Sequence, residues 1–79
     1  MRTETEIQRE IEGTTRPLRE GIANVGIAEY AAWSESRWGA TETVREQARA
    51  EAQRLQAKGE QMQRQFADMV SKIRATEPV

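Results

Sequence analysis

Few side chains in this sequence are suited to chemistry, and none is an imidazole or a thiol: the 79 residues include no His and no Cys. The commonest general base and the thiol nucleophile are therefore missing, leaving carboxylates, Lys58, Lys72, Tyr30 and a scatter of Ser and Thr. Glu42 with Glu46, and Glu6 with Glu10, lie one helical turn apart and could each turn two carboxylates toward a divalent cation. Carboxylates at that spacing more commonly form a solvated helix face, and neither pair has a third ligand nearby in the sequence. A Glu-x-x-His di-metal site requires histidine, and no glycine-rich phosphate loop is present. The sequence thus predicts no catalytic residue, no metal site, no cofactor and no enzyme.

Charge narrows the range of partners. The formal net charge is -1; residues 1–39 carry five Arg against seven Glu, and residues 40–79 seven Lys and Arg against six acids. A nucleic-acid binder calls for a basic face, and a membrane-surface helix for a Lys/Arg-rich polar side; neither stands out. The least polar run, Gly21 to Trp33, is too short to span a bilayer and contains Asn24 and Glu29. Met1 to Glu12 is polar and acidic, unlike a signal peptide. The expectation is a chain with no nucleic-acid partner and no transmembrane segment, either cytoplasmic or assembled into a particle or filament.

The element that must position any functional surface is a seam in the second half. Ala48, Ala52, Leu55, Gly59, Met62, Phe66, Met69 and Ile73 step by alternating fours and threes, which keeps one stripe facing a neighbouring helix along a supercoil. A strand would need a period of two. Thr41 to Ile73 therefore reads as one helix of roughly 50 Å, at about 1.5 Å per residue, and a helix that long needs something packed along it.

The first half supplies that cover. Thr3 and Glu6 form a capping-box pattern at a helix start, and Ile7, Ile11, Leu18, Ile22, Val25, Ala28 and Ala32 continue an apolar stripe at helical spacing. Gly13, Thr14, Thr15 and Pro17 interrupt it, so a kink or short break is expected near residues 13–17, with Thr15 capping a restarted helix. The small residues Gly21, Ala23, Gly26, Ala28, Ala31 and Ala32 suit close approach by another helix; the alternative is a weak or partly irregular helix.

Trp33 and Trp38 would sit about 140° apart on a continuous helix, so burying both requires the chain to reverse between them. Gly39 and a second capping-box pattern, Thr43 with Glu46, support a turn; one uninterrupted helix is the rival reading. The predicted fold is all-α: a single antiparallel helical hairpin with arm one at 3–35, a turn at 36–40 and arm two at 41–75, packed like a coiled coil and completed by oligomerisation. A reversal near residue 37 or 38 places Pro17 level with Lys58 and Gly59, and Ile7 level with Asp68 and Met69. The break in arm one would then face the only glycine of the seam. Beyond Ile73, the tail Ala75, Thr76, Glu77, Pro78 and Val79 should stop the second helix and fray.

On the polar side of arm two, Glu42–Arg45, Glu46–Arg49, Glu51–Arg54, Glu60–Arg64 and Asp68–Lys72 sit at i,i+3 or i,i+4 and neutralise one another. Leu55, Gly59, Met62, Phe66, Met69 and Ile73, with Ile22 and Val25 of arm one, are the candidate interface for a second copy or another helical protein. Tyr30, Trp33 and Trp38 are either a recognition end or part of the core. A short hairpin with Trp38 and Gly39 at its turn resembles, in architecture alone, the small export substrates that carry a Trp-any-Gly turn and dimerise as four-helix bundles. Here the two residues are adjacent. A chain this short, without disulfide or zinc, needs another staple, and association is the one left. The expected function is a structural or assembly subunit that self-associates: a bundle, a filament protomer, or a virion or scaffold component. The alternative is an adaptor, chaperone or export-type hairpin that binds a different protein.

Overall fold

Thr3, in an extended conformation, accepts a hydrogen bond from the Glu6 N–H at 3.2 Å and so satisfies one of the donors left free where a helix begins. From there the chain winds without interruption to Trp38. The computed structural model describes residues 2–75 and contains two helices, α1 (Glu4–Trp38) and α2 (Glu42–Ala75), folded back on each other as an antiparallel hairpin. No strand occurs among the described residues, and the Cα trace measures 60 × 15 × 13 Å. Of the tail expected to stop the second helix, Ala75 still belongs to α2, and residues 76–79 lie outside the described residues.

Of the expected kink or short break at 13–17, the break does not occur, and Thr15, lying inside α1, caps no restarted helix. Pro17 lies inside α1 and removes one N–H, yet the helix continues through it. Side chains attend to the preceding turn: the fully buried Thr15 hydroxyl donates to the Ile11 carbonyl at 2.5 Å, and Arg19 donates to the Thr15 hydroxyl at 3.2 Å and the Glu12 carbonyl at 2.8 Å. Ile7, Ile11 and Thr15 are buried along this stretch, so packing on α2 outweighs the local cost of the proline.

The reversal is shorter and later than expected. Residues 39–41 connect the helices, because α1 extends three residues past the predicted end of arm one. The Gly39 N–H donates to the Glu35 carbonyl at 2.7 Å and closes the last turn. With φ −57° and ψ 149°, Gly39 adopts a backbone open to any residue; it is glycine for space, since an added Cβ would stand 2.7 Å from the Glu35 oxygen. The cap of α2 is Thr41, whose hydroxyl accepts from the Val44 N–H at 3.1 Å, and not Thr43, which lies within the helix. Arg45 folds back to the Gly39 carbonyl at 2.8 Å instead of serving a salt bridge with Glu42. The tight connection is thus held by hydrogen bonds made within it and its flanking turns.

The later reversal shifts the register. Gly59 lies against Val25, with an added Cβ 3.5 Å from Val25 Cγ1, and Met62 Cε reaches to 2.7 Å of a Cβ built on Gly21. Gly59 is therefore about two turns from the level of Pro17, and the two do not face each other as expected. The enclosed apolar core is narrow: Ile7, Ile11, Val25, Ala32, Ala48 and Ala52, with Thr15 and Ser36 buried beside them.

Candidate functional site

Two apolar surfaces remain incompletely covered. The first is the seam. It faces α1, as the Gly21–Met62 and Val25–Gly59 approaches show, but the hairpin closes it only in part. Of the candidate interface residues Val25 is buried, while Ile22, Leu55, Gly59, Met62, Phe66, Met69 and Ile73 are half-buried. The reason is geometric: one helix shields one side of another, and a cross-section of 15 × 13 Å leaves both edges of the seam open to solvent. A shallow groove of about 120 Å³ on one edge is lined by Ile22, Val25, Gly26 and Glu29 of α1 and Gln56, Gly59, Glu60 and Gln63 of α2.

The second surface is the outer face of α1 near the turn. Tyr30 and Trp38 are 79% and 82% exposed, so burial of the whole aromatic cluster in the hairpin core is excluded. Only Trp33 is partly covered, its indole N–H donating to the Glu29 carboxylate at 3.3 Å. The two tryptophans require no reversal between them, because Trp38 faces out. Tyr30, Trp33, Ser34, Arg37 and Trp38 line an open groove of about 500 Å³. Ile27 belongs to the same face and is 70% exposed.

Ile27 is the residue that sequence reasoning passed over. It falls outside the stripe of Ile22, Val25 and Ala32 that packs on α2, and that displacement was the available signal. At about 100° per residue, Ile27, Ala31, Ser34 and Trp38 fall along one line of α1, roughly opposite Val25, Ala32 and Ser36. The turn-proximal half of α1 is therefore apolar on two sides.

Electrostatics around these surfaces is modest. Of the five ion pairs expected along α2, Glu51–Arg54 and Asp68–Lys72, the latter at 2.9 Å, form, and Arg2 pairs with Glu10. Glu4 joins the free ends of the two helices: its carboxylate accepts from Gln8 and from Arg74, each at 3.2 Å. The Gln8 hydrogen bond first, and then Arg74, hold the Glu4 carboxyl below its ordinary range. No group of three potential metal ligands gathers among the described residues, and the Glu6–Glu10 and Glu42–Glu46 pairs lie on helix surfaces. No described helix is long and apolar enough to cross a membrane. What this arrangement offers chemically is apolar contact area with a few polar groups at its margins. In comparisons with known proteins the chain matches no family model, no curated protein and no solved structure.

Proposed function

We propose that this protein is a non-enzymatic structural or assembly subunit, whose hairpin is completed by association with copies of itself into a bundle, filament or scaffold. The observation that carries the reading is the mismatch between apolar surface enclosed and apolar surface left open. Half of the buried apolar residues are alanines, while Ile27, Tyr30 and Trp38 stand in solvent and most of the seam is only half covered. Burying a large apolar side chain is worth about 1.5–3 kcal/mol, and ordering each residue costs roughly 1–2 kcal/mol in backbone entropy. A hairpin with so few large side chains enclosed gains much from covering the rest, and a second copy brings the same uncovered surfaces.

A second reading draws on the groove at the turn. Two exposed aromatics beside Arg37 form a compact recognition end that a different protein could occupy, making the chain an adaptor, chaperone or export-type module. Sedimentation equilibrium on the purified chain separates the two. A defined homo-oligomer or filament is expected; a folded monomer at every concentration would overturn self-assembly and bring the second reading forward.

A further inference from the structure

Resting on that reading of self-association, we propose that the assembly contact is the outer face of α1, paired antiparallel with α1 of a second copy about a two-fold axis at Ile27. The argument begins with the order of residues along this face. Arg16, Glu20, Ala23, Ile27, Ala31, Ser34 and Trp38 fall within about 40° of one line at about 100° per residue, and every one is exposed in the hairpin. Helical spacing places matching positions on either side of Ile27, and the residue types found there decide what an antiparallel copy would meet. Four residues to either side stand Ala23 and Ala31, seven to either side Glu20 and Ser34, and eleven to either side Arg16 and Trp38.

A two-fold axis superposes those halves. Ile27 meets Ile27 of the second copy, the two alanine positions meet and let the helix backbones approach, and Tyr30 lies over Ala23 of the other chain. The Ser34 hydroxyl faces the Glu20 carboxylate, and the Trp38 ring faces the Arg16 guanidinium, a cation–π pairing. A parallel pairing of the same faces would set Arg16 against Arg16 and Glu20 against Glu20, like charges in register. Antiparallel symmetry is therefore selected by charge, and a closed two-fold dimer is the commonest outcome of a self-complementary patch.

The area is adequate as well. Ile27, Tyr30 and Trp38 are 70%, 79% and 82% exposed. With aromatic side chains of about 150–250 Å² each, these three alone present roughly 500 Å² per copy, and the residues between and beyond them extend the contact over about 33 Å of helix. That approaches the roughly 800 Å² per partner of a standard stable interface. A second copy is the occupant assigned, because this face read antiparallel sets its own Trp38 against Arg16 and its own Ser34 against Glu20 and offers an area near that of a stable dimer.

Site-directed crosslinking tests the placement, helped by the absence of native cysteine. Ile27→Cys on the axis should form a disulfide-linked dimer under mild oxidation. A mixture of Glu20→Cys and Ser34→Cys chains should form the mixed disulfide, while either variant alone should not crosslink. Because Ile27 faces solvent in the hairpin, Ile27→Asp should still form helix at low temperature while losing the dimer in sedimentation and melting at a lower temperature than the wild type. A disulfide between two Glu20→Cys chains, or between two Ser34→Cys chains, would overturn the antiparallel arrangement. An oligomer that survives Ile27→Asp, together with no crosslink in Ile27→Cys, would overturn this face yet leave self-association standing, and a wild-type monomer would overturn both.

Discussion

The two ends of the hairpin are built in opposite ways. At the open end α1 turns its large apolar side chains inward: Ile7 is fully buried and Ile11 nearly so, with the Thr15 side chain buried beside them, beneath an outer surface of Gln8, Arg9, Glu12 and Arg16. At the turn the enclosed side chains are small, Ala32 and Ser36 on α1 and Ala48 and Ala52 on α2, while Ile27, Tyr30 and Trp38 lie outside. A three-residue connection between two long helices keeps their backbones close, and close backbones leave room only for small residues between them. The apolar mass of the turn end is thus turned outward, where only another molecule can cover it. At the turn end large apolar side chains stand in solvent, whereas at the open end Ile7 and Ile11 of α1 are enclosed and Phe66, Met69 and Ile73 of α2 are half covered.

The sharpest way to break that contrast is at the open end. Ile7→Ala should cost about 2–5 kcal/mol in denaturant unfolding, through lost burial and the cavity left behind; a change below about 1 kcal/mol would mean that the open end frays and holds no real core. At the turn the opposite substitution should hurt. Ala52 is fully buried between closely spaced helices, so Ala52→Leu should destabilise by about 1–3 kcal/mol even though leucine is the more hydrophobic residue. A gain in stability would show that the helices are free to part.

Glycines sharpen the comparison. Gly39→Ala places a methyl against the Glu35 carbonyl and the Val44 and Arg45 side chains, and should lower the melting temperature. Gly26→Ala meets nothing within 4 Å, and Gly59→Ala makes an ordinary 3.5 Å contact with Val25, so each should stabilise by up to about 1 kcal/mol through helix propensity. Loss of stability in Gly59→Ala would restore the idea of a tight approach at that level.

The smallest effect belongs to the exposed Glu4 link at the open end. Its carboxyl pKa is depressed in the folded chain, so its contribution is present above the ordinary carboxylate pKa and is lost as pH falls through the lowered value. Glu4→Gln should flatten the acid side of the stability profile slightly, with the difference from wild type fading in high salt. A difference that appears only at alkaline pH would contradict this assignment.

The helical hairpin itself was legible, because the four-three spacing from Ala48 to Ile73 and the matching stripe from Ile7 to Ala32 demand two helices packed together. The course of α1 through Pro17 was not. Local rules break a helix at an interior proline, whereas burial of Ile7, Ile11 and Thr15 on α2 and the hydrogen bonds of Thr15 and Arg19 are tertiary facts. Thr41 and Thr43 carry the same hydroxyl two residues apart, so the capping residue depended on where the turn fell, and with it the register that brought Val25 to Gly59. Of the outward face, Tyr30 and Trp38 were legible as a recognition end, as amphipathic aromatics near the turn, whereas Ile27 was not, because a search for one apolar stripe finds the stripe that makes the hairpin and passes over the other side.

The central claim is that folding of the hairpin and its association are coupled, and thermal unfolding followed by circular dichroism across a wide range of protein concentration tests it most directly. Covering the outer face of α1 in an oligomer stabilises only the folded form, so the melting temperature should climb steadily with concentration. A sharp transition at the same temperature from the most dilute to the most concentrated sample would contradict the account and leave the hairpin a self-sufficient monomer.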